Sequence, residues 1–462
     1  MVAVAQDASA LPSAPVPNVA VVKLPGGVVV EKAAPEALAL SLDDAIERGQ
    51  KHNLQMELSR QNERLVHGQV LTVKNNLLPS LTAQAKTATQ QINLAALGFK
   101  PESLAGLGLP PGTFQEIVKV DTTSAQLNLN QQLFNVQAYY LYRAAQKADT
   151  VASLTTLNTR GSVTLSVGTQ YLLALADASQ IENAQALLKS DEVALRQATA
   201  SHDAGVGTNL DMLRARVQLQ TQQQVLINAE NTFAKDKIAL NRLIGLPAEQ
   251  ELKLTDTAPY AEFVGLPLEQ AKALGFERRK DLLSLQAQLE VADRTRKAVK
   301  AERLPSLAFD GYYGVLGETH GLYHGVFSAA GKLTFPIFQE GQLRGEREVA
   351  EAQKHALQQQ IESLKVTIEQ QIRASMMDVQ SSSELVKVAR SNVDLATEQL
   401  QQTMDRFAAG VDDNLPVVRA QATLADAQTR LVGTLYQFNQ SKLALARNTG
   451  VVETQYKAYL GR

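Results

Sequence analysis

The residues of this chain that could do chemistry are few, and their spacing argues against an enzyme. Glu318, His320 and His324 form a cluster with metal-ligand character, an H-x-x-x-H with a carboxylate beside it. Two imidazoles four apart suit zinc when a helix presents both on one face. Here Gly317, Gly321 and Gly325 punctuate the segment, which reads as a turn and a poor ligand scaffold, so no metal is expected. Gly341 and Gly345 spell G-x-x-x-G without the apolar surroundings that give the spacing its meaning. No nucleophile elbow, phosphate loop or pair of catalytic carboxylates stands in a supporting context. Zero cysteines exclude disulfides, thiolate chemistry, cysteine-ligated zinc and a lipidated N-terminal Cys. Neither a catalytic residue nor a cofactor is expected.

The remaining polar residues of interest sit in two short turn-like segments, Ala204-Gly-Val-Gly-Thr-Asn-Leu-Asp211 and Arg406-Phe-Ala-Ala-Gly-Val-Asp-Asp-Asn-Leu415. They are copies of one another. At a constant offset of 205, Ala204-Gly-Val206, Asn209-Leu210, Arg214-Ala215, Phe233, Arg242 and Gly245 match Ala409-Gly-Val411, Asn414-Leu415, Arg419-Ala420, Phe438, Arg447 and Gly450. An earlier block repeats at an offset of 226: Leu40, Leu42, Ala45, Gly49 and Leu78-Pro-Ser-Leu81 return as Leu266, Leu268, Ala271, Gly275 and Leu304-Pro-Ser-Leu307. A period above 200 residues is a duplicated fold and not a solenoid of short units.

Composition narrows the class. The 462 residues are 45% hydrophobic and 20% charged, and the mean hydropathy is −0.15. That could bury a large core, but no run of about 18 uncharged apolar residues suits a membrane helix. With 45 basic and 47 acidic residues, and no basic stripe, nucleic acid is not an expected partner. The N-terminus lacks a signal peptide, although Ala3-Val-Ala5 resembles a cleavage site, which suggests a nearly mature end. Residues 1–39, rich in Pro, Val and Ala, read as an extended arm.

After Ser41, a good N-cap, Leu42, Ile46, Leu54, Leu58 and Leu65 keep a helical stripe that Pro79 closes. At Ser80 the period changes from 3.6 to 2. Four segments alternate, at about 80–90, 123–134, 306–316 and 326–338, and in all four the apolar residues are odd-numbered. A soluble antiparallel sheet with one wet face would show the same alternation. The polar face, however, carries Lys86, Asp310 and Lys332, while Phe134, Tyr139, Tyr140, Phe309, Tyr313, Phe327, Phe335 and Phe338 cluster around the strands, as in the girdles of membrane barrels. Lys86, Asp310 and Lys332 would then face the lumen. Four strands cannot close a barrel, so a membrane sheet of this kind requires several copies of the chain.

Each strand pair leads into a long helical hairpin, about 137–246 and 342–449. The first helix of each contains no proline over more than 60 residues and would span about 100 Å. The return helices repeat Leu219, Leu226, Phe233, Leu240 and Leu424, Leu431, Phe438, Leu445 every seven residues, a coiled-coil seam.

This order of helices, strands, long helix, tip turn and return helix, duplicated over residues 40–450, resembles the TolC-type outer membrane efflux proteins. The two Leu-Pro-Ser-Leu strand entries, the strand exits Leu133-Phe134 and Pro336-Ile-Phe-Gln-Glu-Gly341, and the two tip segments carry the resemblance. It implies a mainly α chain with a small membrane β-sheet: a homotrimer whose twelve strands form an outer-membrane β-barrel in lipid, continued by a periplasmic α-helical barrel holding most of the mass. Repeats at 40–250 and 266–450 would flank a linker at 251–265 in an equatorial belt, with a tail at 451–462. Such proteins are exit ducts that work with a periplasmic adaptor and an inner-membrane transporter.

The resemblance also assigns the tips. Gly205, Val206, Asn209, Leu210, Gly410, Val411, Asn414 and Leu415 would dock the adaptor, and Asp211, Phe407, Asp412 and Asp413 would form the mouth. Gly205 and Gly410 suit a turn, and Asn209 and Asn414 suit helix caps. Asp211 stands where the family archetype has a gating Asp. The positions of its gate Tyr and Arg hold Phe407 and Asp412, and those of its acidic constriction hold Pro416 and Arg419, so the closing network must differ. Two rival readings are a periplasmic coiled-coil adaptor and a scaffold protein; neither explains four strands with one common apolar face.

Overall fold

The computed structural model describes residues 35–97, 115, 117–257, 261, 265–409, 411 and 414–461. The first 34 residues of the expected arm, the loop at 98–114, and Gly410, Asp412 and Asp413 of the second tip lie outside the described residues. The first half contains β1 (Leu38–Leu40), α1 (Leu42–His52), α2 (Leu54–Asn75), β2 (Ser80–Asn93), β3 (Ile117–Phe134), α3 (Val136–Asp203) and α4 (Asn209–Ile244). The second contains β4 (Leu252–Leu254), α5 (Leu268–Arg278), α6 (Lys280–Ala301), β5 (Ser306–Glu318), β6 (Tyr323–Thr334), α7 (Glu340–Ala408), α8 (Leu415–Asn448) and α9 (Val452–Leu460). No described helix is long and apolar enough to cross a membrane.

Two compact units divide the described chain. One comprises Val66–Asp149 and Gln288–Ala356, and the other comprises the stretch up to Leu65, Thr150–Ala287 and Leu357 onward.

The first unit holds a four-stranded antiparallel sheet of order β2-β3-β5-β6. Its register pairs odd with odd residues: Ala83 opposes Leu127, Leu127 opposes Tyr313, and Tyr313 opposes Phe327. Leu81, Leu127, Tyr313, Phe327 and Leu333 are all exposed, so in a single chain this apolar face is uncovered. The strands differ from expectation at their ends. β3 starts at Ile117, six residues early, and β6 ends at Thr334 instead of continuing to Phe338. Pro336 cannot donate to a ladder, so Phe335, Ile337 and Phe338 leave the sheet and are exposed. A bulge between Gln132 and Phe134 breaks the parity and brings even-numbered Phe134 opposite Leu307. Below the sheet, Val70, Val73, Leu141, Ala145 and Ala298 form a small core. Lys147 pairs with Glu290 at 2.9 Å and Lys354 with Asp293 at 2.9 Å, which ties α6 to both α3 and α7.

The second unit contains the larger core, in which Leu40, Leu42, Tyr171, Leu240, Phe438, Leu443 and Leu460 are buried. Ser41 caps α1 with a capping box to Asp44. The stripe expected to run unbroken to Pro79 is two helices, because Asn53 turns extended (φ −70°, ψ 133°) while its N–H bonds Gly49 O at 3.0 Å. Beyond that break Leu58 and Leu65 are exposed, not on a buried stripe. Arg279 makes the same break between α5 and α6, bonding Gly275 O at 3.1 Å. The arm and the linker meet: β1 and β4 pair in parallel, Leu38 with Leu252 and Leu40 with Leu254. The seam is uneven between copies. Phe438 and Leu445 are fully buried and Leu424 nearly so, whereas in the first copy only Leu240 is, with Leu219, Leu226 and Phe233 half-buried.

Candidate functional site

The first tip is built from backbone outward. Gly205 takes φ +72°, open to glycine without strain, and this lets Val206 N and Gly207 N both donate to Ser201 O, at 3.0 and 2.9 Å. That turn sets which residue caps α4. Thr208, extended at φ −93° and ψ 150°, accepts from Asp211 N at 3.2 Å, and Asn209 is already the first helical residue. The expected cap at Asn209 is therefore Thr208. Asp211 occupies the third helical position, where a carboxylate complements the positive end of the helix. It accepts the Thr208 hydroxyl at 2.5 Å and lies 3.6 Å from Arg214, so both carboxylate oxygens are engaged in its own first turn.

In the second tip Asn414 sits at the cap position of α8 but makes no side-chain cap bond, contrary to expectation. Its φ of −76° and ψ of −12° are helical, which turns the amide away from the exposed N–H groups. It is 2% exposed, and its Nδ2 has no hydrogen-bond partner among the described residues. Pro416 instead stands in the first turn of the helix, just after Leu415, where its missing N–H costs nothing.

The tips expose apolar side chains. Val206 is 83% exposed and Val411 65%, and Leu210 is exposed as well. The first turn and the end of α7 enclose a groove of about 660 Å³, lined by Ala198, Ser201, Val206, Thr208, Asp211 and Phe407. Asp211 and Phe407 are thus brought to one groove. Phe407 also packs on the core formed by Leu187, Leu400, Val417 and Leu424.

On the sheet, register puts Lys86, Asp310 and Lys332 on the same even face. Asp310 accepts from Asn130 Nδ2 across the β3–β5 pair. Lys332 opposes Ala308, two residues along β5 from Asp310, so these two are near neighbours. Lys86 lies at the level of Leu316, six residues away along β5, about 20 Å, and is not brought to them. In the β5–β6 turn His320 adopts φ +73°, and among the described residues no group of three His, Cys, Asp or Glu is placed to hold a metal.

Residue patterns did not disclose several buried acids. Burial and the facing carboxylate of Glu346 push Glu302 up to about 7, and burial pushes Asp191 up to about 6 against a lowering contact from Gln218. Heptad spacing on α3 is the signal that could have found Asp191, since Asp177, Ala184, Asp191 and Ala198 recur every seven residues along it.

Known proteins give the arrangement its context. The chain resembles the pyoverdine export outer membrane protein OpmQ of Pseudomonas putida, 26% identical over 62% of this chain and 61% of that one. It is 25% identical to the alkaline protease secretion protein AprF of Pseudomonas aeruginosa, over 74% of this chain and 72% of that protein. The fold matches the outer-membrane channel OprN with a TM-score of 0.74 at 16% identity, covering 88% of this chain and 89% of that one. It matches the open-state MtrE outer membrane channel of Neisseria gonorrhoeae with a TM-score of 0.74 at 17% identity, covering 92% and 96%. The family model described as outer membrane efflux protein matches residues 45–246 and 274–451, both halves of the duplication, and the chain belongs to that family.

Proposed function

We propose that the chain is the outer-membrane exit duct of a tripartite efflux or secretion system, a passive trimeric channel that docks a periplasmic adaptor and works with an inner-membrane pump. The observation that carries this reading is the sheet. Its apolar residues share one exposed face, and among the described residues β2 and β6 each have one edge unpaired. In lipid an open edge leaves N–H and C=O groups unsatisfied at several kcal/mol each. Pairing β6 of one copy with β2 of the next removes both edges, and three copies give twelve strands. Lys86, Asp310 and Lys332 then line the lumen. A periplasmic adaptor or scaffold would have no use for such a face. Fractionation tests the reading: the protein is expected in the outer membrane, extracted by detergent as a trimer, and a soluble monomer at normal salt would overturn it.

The exposed Val206, Leu210 and Val411, with Gly205, Asn209, Gly410, Asn414 and Leu415 around them, are the docking surface for the adaptor. Asp211 and Phe407 belong to the mouth, together with Asp412 and Asp413. Three copies of Asp412 and Asp413 give the mouth a negative potential that favours cationic solutes. Planar-bilayer recordings of the Asp412→Asn, Asp413→Asn double variant are expected to show reduced cation selectivity; unchanged selectivity would remove these residues from the mouth. The relatives are named for pyoverdine export and alkaline protease secretion, cargoes of unlike chemistry. A duct chosen by its adaptor accommodates both.

A further inference from the structure

The two hairpins of the sheet are one structure used twice. In the first, Ser80 opposes Asn130 and Lys86 opposes Ser124; in the second, Ser306 opposes Thr334 and Tyr312 opposes Ser328. An offset of 226 from β2 to β5, with one of 204 from β3 to β6, turns the first set of pairs into the second. The first offset also relates Leu78-Pro-Ser-Leu81 to Leu304-Pro-Ser-Leu307, and the second relates Leu133-Phe134 to Ile337-Phe338. Even the irregularities coincide. β3 bulges between Gln132 and Phe134, and Pro336 and Phe338 stand at the corresponding places just beyond β6.

Between the hairpins lies a seam, β3 against β5, in which Asn128 opposes Tyr312 and, past the bulge, Phe134 opposes Leu307. When copies close into a barrel, β6 of one meets β2 of the next in the same relation, the second strand of one hairpin against the first strand of another. The same two offsets then give the register between copies. Phe338 falls opposite Leu81 of the next copy, and these side chains are 92% and 67% exposed in the single chain. Lys332 falls opposite Lys86 of the next copy. The two lysines, remote from one another within a chain, become direct neighbours.

We propose that each seam between copies binds an anionic group, a phosphate or carboxylate, between Lys332 of one copy and Lys86 of the next on the lumenal face. This rests on the trimeric duct reading and adds to it a register and a ligand. Like charges directly opposite one another on a sheet repel, so the pair calls for a counter-ion. Both side chains are exposed, and among the described residues neither has a partner. No carboxylate adjoins the pair along its own strands, where Ala330 and Thr334 flank Lys332 on the even face and Gln84 and Ala88 flank Lys86. Asp310 is diagonal to Lys332, but its carboxylate accepts from Asn130 Nδ2. Two ammonium groups on flexible four-carbon stems can donate to one phosphate from both sides.

The chain has no cysteine, so cysteine pairs introduced into the full-length protein report the register without background. Oxidised in outer membranes, Lys332→Cys with Lys86→Cys is expected to link copies covalently into trimers, since directly opposed residues lie within disulfide reach. Lys332→Cys with Gln84→Cys, or with Ala88→Cys, is two residues out of register and is expected to stay unlinked. A detergent-extracted trimer in which the first pair fails to link, or an out-of-register pair links as well, would overturn the register and leave the duct standing; a monomer would remove both. Pyrophosphate is the probe for the site in planar bilayers, where it is expected to reduce the conductance of the wild-type trimer. Lys86→Gln and Lys332→Gln are each expected to raise the half-blocking concentration about tenfold. Lys119→Gln, on the odd face, is expected to leave it unchanged. No block of the wild type, or the same block in both glutamine variants, would overturn the anion site.

Discussion

Gly450→Ala is expected to destabilise the folded chain by about 3–5 kcal/mol and to leave little protein in the membrane. Two causes add. Gly450 has φ +76°, where any Cβ meets the preceding carbonyl at a cost of about 1–2 kcal/mol. The added Cβ would also lie 2.7 Å from Arg279 N and 2.8 Å from Arg278 C, and these are backbone atoms at the α5–α6 break that cannot swing aside as a side chain can. The same turn holds Val451 N on Ala446 O at 2.9 Å, and so directs α9 to bury Val452 and Leu460 in the core. Gly205→Ala is the matched control: φ is +72° but no atom lies within 4 Å of the new Cβ, so only the backbone term applies, about 1–2 kcal/mol. Thermal melts and membrane yields of the two variants separate close approach from torsional strain. Equal losses would mean that the contact with Arg279 is immaterial.

That contrast bears on what the sequence can disclose. Both glycines were visible in the repeat, because Gly205 and Gly245 return at a fixed offset as Gly410 and Gly450. A repeated glycine marks a backbone requirement, but not whether the reason is φ alone or a neighbour pressed against it. The neighbour of Gly450 is more than 170 positions away, at Arg279. Strand location and facing were legible for a local reason: the side-chain period of 2 is a property of adjacent residues, and β2 begins at Ser80, where the period changes. The break at Asn53 was not legible, since Leu54 onward continues as good helix and the interruption is made by packing, with Asn53 Nδ2 donating to Leu243 O at 3.1 Å. At the tip, Thr208 and Asn209 are both capping residues by type. The choice between them came from the two bonds to Ser201 O, which fix the length of the turn. Asp191 reads as an ordinary solvated charge in the sequence, but it is 2% exposed once α4 is placed against it, with Gln218 Nε2 donating to it at 3.5 Å.

Leu127→Lys is expected to cost about 2–4 kcal/mol in the membrane-embedded protein and to deplete it from the outer membrane, whereas Asn128→Lys, its neighbour in the chain, is expected to be close to neutral. The two positions lie at the centre of β3, paired on both sides: Leu127 with Ala83 and Tyr313, Asn128 with Thr82 and Tyr312. Because successive side chains point to opposite faces, the two lysines differ in facing but hardly in depth or in backbone bonding. On the odd face the ammonium would stand among Leu129, Tyr313 and Phe327, which are exposed in a single chain and meet hydrocarbon in the barrel. On the even face it would join Lys86, Asp310 and Lys332, the face that the proposed duct turns to its water-filled lumen. The difference between the variants, read as the amount of folded protein recovered from outer membranes, thus isolates the medium on each side of the sheet. A soluble sheet would place the odd face in a protein core and make both faces insensitive to lipid composition. A barrel with the reverse facing would invert the ranking, so that Asn128→Lys, and not Leu127→Lys, was lost from the membrane.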